Sequence, residues 1–444
     1  MGVGRSGKDN AVAGPTARRG AIAVSGGLPR YHVRMTERIH DLLIVGGGLV
    51  GASLACALDG SGLDVALAES EPATVPMIAD ADARSLALAA ASLNALAALG
   101  VLRQLPTPPA PIRRIHVSRS GDFGSVRLDA GEYGRDAFGG VVAATALGAA
   151  LQARLRQVRG LRHLSGARLV ALREGEGWRE ADVAGEQGTT TLKARLVVGA
   201  DGTFSFVREA LGIATTAHDY HQHLFASSVR AARVAAGQAW ERFTDDGPVA
   251  LLPRLGGDYG CICTVRADEA EAVAALADDD FRALLQTRLG WRAGRLLAVG
   301  RRSGHPLRQR LAQDLIATRA VLMGNAAQTL HPVGAQGFNL GLRDALTLAE
   351  LVGDAREDVG SAAMLAEYAR RRADDRAQTV RFSDGLARLT AIPLAPARGL
   401  RSLAMRALAD VPALRARLAS GAMGFRGRVP ALAGDGVPGA DWAR

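Results

Sequence analysis

Residues 41–69 read DLLIVGGGLVGASLACALDGSGLDVALAE, and the fold turns on how this stretch is read. Leu42 to Val45 is a short apolar run suited to a buried parallel strand, and Gly46, Gly48 and Gly51 then give G-x-G-x-x-G ahead of a helical segment. In that pattern the first glycine permits a tight turn, the second lets the backbone approach a pyrophosphate, and the third lets the helix pack closely on the strand. Helix N–H groups beyond the turn face the phosphates. Gly60 and Gly62 end the helix, Leu63 to Ala68 forms a second strand, and Glu69 stands where a carboxylate accepts ribose hydroxyls. Together these parts make a dinucleotide site, which at this point suits NAD and FAD alike.

Around that unit, 444 residues with 48% hydrophobic content allow two or three domains and a large core. The longest apolar runs, such as Val141 to Leu151, fall short of the roughly 18 to 20 residues a spanning helix needs. The net charge of +10 sits at the ends: residues 1–34 hold six Lys/Arg against Asp9, and residues 385–444 hold nine Arg against three Asp. The body between them is near −1, without the excess basic charge of a nucleic-acid groove. The basic ends suit an anionic lipid surface or an acidic partner. Cys56, Cys261 and Cys263 form no C-x-x-C pair, which argues against a metal site and suits a reducing cytosol. Cys261 and Cys263 are expected to be strand packing residues.

Residues 1–34 are rich in Gly, Ala and Arg without apolar periodicity and read as a disordered extension, with Met35 the expected natural start. After Glu69, Asp82-Ala83-Arg84 precedes a helical pattern from Leu86 to Leu99 that Gly100 stops. Residues 106–138 have strand and turn character, Val141 to Val158 reads as a helix, and Arg168 to Val183 as hairpin strands. Leu196 to Val198 is another buried strand ending in Gly199-Ala200-Asp201-Gly202. A carboxylate there reaches a ligand at the sheet's carboxyl edge or caps the next helix. Residues 218–310 alternate apolar and polar residues, as a mostly antiparallel sheet roofing a substrate pocket would. A third strand, Ala320 to Met323, leads through Gly324-Asn325 and His331-Pro332-Val333-Gly334-Ala335-Gln336-Gly337 into a helix that starts near Gly337 to Asn339. Such a helix start favours an anion by about 0.3 to 1 kcal/mol.

At these residues the chain resembles the single-component FAD-dependent aromatic hydroxylases, which share a glycine-rich motif, a later Asp-Gly motif, and a Gly-Asp motif before a flavin-facing helix. The segments GNAAQTLHP, QGFNLGLRDA, ERFTDDGPVALLP and GWRAGR are similar to those of the ubiquinone-biosynthesis branch, and the resemblance runs from about residue 38 to about residue 430. It implies an α/β fold: a doubly wound, Rossmann-like FAD-binding domain (35–105 with 140–215 and 311–385), a mostly antiparallel β-sheet substrate domain (106–139 with 216–310) and a C-terminal helical segment (386–444).

The resemblance also implies FAD as cofactor and NAD(P)H as electron donor, visiting transiently because no second dinucleotide fingerprint follows. Gly46, Gly48, Gly51 and Glu69 would hold the ADP half and Arg84 the phosphate and ribose region. Asp201 with Gly202 would lie by the flavin, Asn325 by the ribityl chain, and Gln336, Gly337 and Asn339 at the flavin-facing helix. Three departures stand out: Asn325 where most of the family has Asp, Gln328 where His is common, and Gly334-Ala335 in exchanged order. His331, with Pro332 beside it, and His305 are candidates for proton transfer, with a structural role the alternative.

The implied reaction is monooxygenation of a polyprenylated phenol by dioxygen through a flavin C4a-hydroperoxide, in the cytoplasm or peripherally on the inner face of the membrane. The alternatives are hydroxylation of a smaller aromatic, or a non-catalytic FAD-fold component of a ubiquinone-biosynthesis complex. Leu400, Leu403, Ala407, Val411, Leu414 and Leu418 recur at helical spacing near several arginines, divided by Pro412. That pattern predicts either membrane or partner contact, or packing on the FAD domain.

Overall fold

A computed structural model describes residues 1, 34–355, 357–391, 395–425, 427–435 and 442. The expected N-terminal extension lies outside these residues except at its two ends, and its last residue, Arg34, already belongs to a strand. That strand runs Arg34–Val45, well before the apolar run at Leu42. Its first part pairs Arg34 and Met35 with Thr190 and Thr191, and a register shift follows before Ile39. Arg38 and Ile39 are exposed, and a strand without a buried run shows no apolar signal.

The Arg34–Val45 strand lies at the centre of an eight-stranded sheet. Val65–Glu69 pairs with it in parallel on one side and Gly188–Gly199 on the other. Arg162–Ser165 and Ala320–Leu322 extend the parallel sheet outward. The chain thus leaves the first strand to one side and later returns to the other, which opens a crevice at the carboxyl ends of Val45 and Gly199. Leu42, Leu43, Ile44, Leu67, Val197 and Val198 are fully buried here.

A nine-stranded sheet joins Arg114–Arg119 and Ser125–Asp129 to strands from residues 215–329. Its pairings are antiparallel except that Gln238–Thr244 runs parallel to Arg114–Arg119. The helix Asp278–Leu289 covers its outer face with Phe281, Leu285 and Leu289, against Phe225, Cys261 and Cys263. Both cysteines are therefore strand packing residues. All three thiols are free and buried, and burial pushes Cys56 up to about 12 and Cys263 up to about 11.

Two expected helices begin later than their sequences suggest. Ser85–Ala89 and Gly139–Ala143 are antiparallel strands, and the helices are Ala90–Ala98 and Ala144–Leu155. Leu and Ala favour helix, but tertiary pairing overrides that weak preference. Gly139 makes the pairing close, since a Cβ there would stand 2.0 Å from the Leu88 carbonyl oxygen.

The C-terminal helices are Ala395–Asp410 and Pro412–Met423, divided at Pro412 as expected. They pack through Met405, Leu408, Leu418, Ala419 and Met423 onto Val126, Leu128 and Phe138. Their support is the edge of the nine-stranded sheet rather than the parallel one. The break at Pro412 interrupts the stripe, and Leu403, Val411 and Leu414 are 59%, 41% and 41% exposed. The side chain of Leu400 lies outside the described residues.

Candidate active site

The glycine turn sits at the crevice. Gly46 has φ +101°, and a Cβ there would come within 2.5 Å of the Ala200 carbonyl oxygen; one at Gly51 would come within 1.9 Å of the Gly46 carbonyl oxygen. Gly48 differs, because nothing lies within 4 Å of where its Cβ would be. The Leu49–Ala57 helix begins there with no side-chain cap and no acid in its first turn, as an anion-binding helix start would. Glu69 Oε2 accepts the Gly47 N–H at 2.5 Å, and Oε1 accepts Glu71 N–H at 2.9 Å. These bonds hold the carboxylate at the lip of the turn.

The second approach to the crevice is the loop before the Gln336–Asp354 helix. Gly334 (φ +72°) and Ala335 (φ +51°) are both left-handed, and the helix start again has no side-chain cap and no acid. No atom lies within 4 Å of a Cβ at Gly337. Gln336 donates to the Gly334 carbonyl at 2.9 Å. Asn325 is exposed in the Gly324–Ala326 turn. Gln328 is buried beneath that turn, donating to Asp344 at 2.6 Å and accepting from Arg376 at 3.0 Å, so it ties the loop to the helices behind.

Other residues singled out from sequence have structural work. Asn339 is 2% exposed: its carbonyl accepts Ala89 N–H at 3.0 Å, while its amide donates to Ala87 O at 3.0 Å and Ala335 O at 2.7 Å. The side chain is committed to the Ser85–Ala89 strand and the loop, which leaves the helix backbone to face a cofactor. Asp201 accepts the Ser205 hydroxyl at 2.5 Å and Val207 N–H at 3.0 Å, capping the short helix after it. Arg84 precedes a strand rather than a helix and pairs with Asp82 at 2.5 Å. Gly202, at φ +83°, has open space where a Cβ would stand.

His331 is 1% exposed. Its Nδ1 accepts Val333 N–H at 3.2 Å, which leaves the proton on Nε2, facing Gln222 Oε1 at 3.3 Å. Burial lowers its pKa to about 4, so the ring is neutral near pH 7 and both nitrogens are occupied. That arrangement suits a structural wedge against Tyr220, whose ring lies 4.7 Å away. His305 is half-buried, its Nε2 has no hydrogen-bond partner, and burial lowers its pKa. It neighbours Arg84 and Asp82 and is not among the residues lining the cavity described next.

Between the nine-stranded sheet and the 332–336 loop lies a cavity of about 580 Å³, within the range of small-molecule sites. The sheet contributes Ile115, Val117, Ala239, Phe243, Ala250 and Leu252, the loop contributes Pro332 to Gln336, and the C-terminal helices contribute Met405, Leu408 and Leu418. Three charged residues interrupt this apolar wall: Arg119 and Asp122, which face each other at 3.6 Å, and Glu241. Glu241, which sequence reasoning did not single out, lines the cavity, and burial pushes its pKa up to about 7. The available signal was alternation, which places Ala239, Glu241 and Phe243 on one face of a strand. Among the described residues no group of His, Cys, Asp and Glu is arranged to hold a metal.

These residues fit FAD: the open space beside Gly48 would admit a pyrophosphate, Glu69 at the lip of the turn would face a ribose, and the helix start at Gly337 would suit the electron-rich edge of a flavin. The 332–336 loop borders both the crevice and the apolar cavity, an arrangement that fits an FAD-dependent aromatic monooxygenase. The chain belongs to the FAD binding domain family, which matches residues 40–383. It is 34% identical to ubiquinone hydroxylase UbiL of Rhodospirillum rubrum, over 87% of this chain and 90% of the relative. It is 32% identical to 3-demethoxyubiquinol 3-hydroxylase of Escherichia coli, over 77% and 87%. Among solved structures it resembles p-nitrophenol 4-monooxygenase PnpA of Pseudomonas putida, with TM-score 0.72 over 89% of this chain and all of that one. At 19% identity that likeness concerns the fold alone.

Proposed function

We propose that this protein hydroxylates the aromatic ring of a polyprenylated phenol in ubiquinone biosynthesis, using dioxygen and electrons from NAD(P)H. The observation that carries the reading is the cavity, which runs from the flavin-side loop to the C-terminal helices and is apolar along its length apart from a few polar groups. The names of the curated relatives supply the pathway. Within that branch the sequence motifs resemble those of 2-octaprenyl-6-methoxyphenol hydroxylase.

Bound FAD supplies the activation of dioxygen, and the chain supplies placement. Glu69 and the Gly46–Gly51 turn hold the ADP half, while the Asn325 turn and the start of the Gln336 helix hold the flavin half. The sheet wall and Pro332 orient the phenol ring and exclude water. A cavity of about 580 Å³ holds a ring and a short part of a prenyl tail. The rest must find apolar surroundings, since each methylene left in water costs about 0.8 kcal/mol. Leu403 and Leu414, on the helices that help line the cavity, and Val411 between those helices face outward and offer a peripheral contact with the inner face of the cytoplasmic membrane. No helix among the described residues is long and apolar enough to cross a membrane.

The test is turnover under isotopically labelled dioxygen with FAD-loaded protein, NAD(P)H and a prenylated phenol. One labelled atom should enter the ring. Label arriving from water, or no ring oxygenation, overturns the reading.

A further inference from the structure

The wall of the cavity is apolar except for the Arg119–Asp122 pair and for Glu241, which enters it from the Gln238–Thr244 strand. In the Gln238–Thr244 strand, residues 239, 241 and 243 point to the cavity, and the cross-strand partners of Glu241 are Val117 and Ala250, which line it too. The carboxyl therefore has aliphatic neighbours on both sides and the cavity in front. Desolvation alone perturbs it, with no charge or hydrogen bond offsetting that effect. Other charged groups on this wall are Arg119 and Asp122, which face each other at 3.6 Å, with Arg119 also on Asp245 at 2.5 Å. The loop and helices opposite contribute Pro332, Val333, Phe382, Met405, Leu408 and Leu418, none of which titrates, and Gln336 and Asn339, which are neutral. On the reverse face of the strand, Arg242 is turned away, donating to the Arg288 carbonyl at 3.0 Å.

A carboxyl held in an apolar wall without a partner is costly to the fold and is readily explained by a ligand that completes it. We propose that Glu241 is a catalytic residue whose carboxylate accepts the proton of the substrate's phenolic hydroxyl inside the cavity. This rests on the phenol hydroxylase reading above. The phenol O–H bond breaks, the proton passes to a Glu241 oxygen, and the electron pair stays on the phenol oxygen, enriching the ring carbons where oxygen is added. When the ring then loses its own hydrogen to solvent and regains aromaticity, the substrate oxygen takes the proton back and the carboxylate is restored. No net proton or electron is consumed at Glu241. Its proton affinity suits the task, because a carboxyl near 7 lies closer to a phenol near ~10 than an ordinary glutamate does.

The test uses full-length, FAD-loaded wild type, Glu241→Gln and Glu241→Asp with 2-farnesylphenol as probe. Without turnover, the dissociation constant read from flavin absorbance should tighten about tenfold between pH 6 and pH 8 in the wild type, as the carboxylate acceptor forms, and stay flat in Glu241→Gln. In turnover, wild-type kcat should rise with pH through about 7. Glu241→Gln should lose that limb and fall about 100-fold at pH 8 with FAD content unchanged, and Glu241→Asp should keep the limb and recover part of the rate. Wild-type pH profiles for binding and rate in FAD-loaded Glu241→Gln overturn the assignment. A wild type that hydroxylates no prenylated phenol overturns the functional reading instead, and the binding titration then judges Glu241 by itself.

Discussion

The two loops that meet the cofactor crevice reach similar ends by different means. The Gly46–Gly51 turn places glycine where backbone stands too close for any Cβ, at 2.5 Å for Gly46 and 1.9 Å for Gly51. The Gly334–Gly337 loop instead puts Ala335 in a left-handed conformation that costs an alanine about 1 to 2 kcal/mol. Its carbonyl is held by the Asn339 amide at 2.7 Å. The first loop is fixed by what is missing from its residues, the second by a side chain that clamps it. Rigidity by omission leaves no adjustable part, whereas rigidity by a clamp can be weakened or relieved one residue at a time.

The largest effects should come from the first loop, and they should separate. Gly51→Val forces a Cβ into the Gly46 carbonyl and should cost more than about 4 kcal/mol, read as loss of a cooperative melt or of soluble protein. Gly48→Val meets no protein atom, so the apoprotein should melt within about 1 kcal/mol of wild type while FAD absorbance is lost from the purified protein. A Gly48→Val protein that keeps its FAD would break the assignment of that space to the pyrophosphate. In the second loop, Asn339→Ala removes three hydrogen bonds from buried and half-buried backbone groups. It should destabilise by about 3 kcal/mol in denaturant unfolding, a loss that Ala335→Gly partly restores.

Acid should distinguish the loops as well. His331, packed behind the second loop, has a folded pKa of about 4, below its unfolded value, so its contribution is fully present above about 6.5 and is lost as pH falls through about 4. Wild type should lose about 3 kcal/mol more between pH 7 and pH 4 than His331→Gln does, measured by urea unfolding at each pH. An equal loss in both proteins would remove His331 from the account. The smallest effect is Ala335→Gly alone, expected to stabilise by about 0.5 to 1 kcal/mol once the flexibility of glycine is set against the relieved strain.

Local patterns were legible in the sequence, and distant partners were not. Leu42 to Val45, the glycine spacing and Glu69 announced the crevice because each acts within one strand-turn-helix unit. Pro412 likewise announced the break between the last helices. Ser85–Ala89 was hidden because its Leu and Ala residues suit helix equally well and its partner strand lies at Gly139–Ala143. Asn339 looked like a cofactor ligand, yet its bonds reach Ala87 and Ala89, some 250 residues earlier. Asp201 was open between ligand and cap, and its bonds to the Ser205 hydroxyl and Val207 N–H supply the capping contact. Glu241 was visible in principle through alternation. What alternation cannot say is which face of the strand meets a cavity.

The three thiols bear on how the protein ages. Sulfur is oxidised or alkylated as thiolate, and with Cys56 near 12 and Cys263 near 11 the ionised fraction at neutral pH is minute, while burial excludes the reagent as well. A protein that handles dioxygen therefore offers oxidants no reactive sulfur of this kind, and storage without reductant should leave all three cysteines titratable once the chain is unfolded.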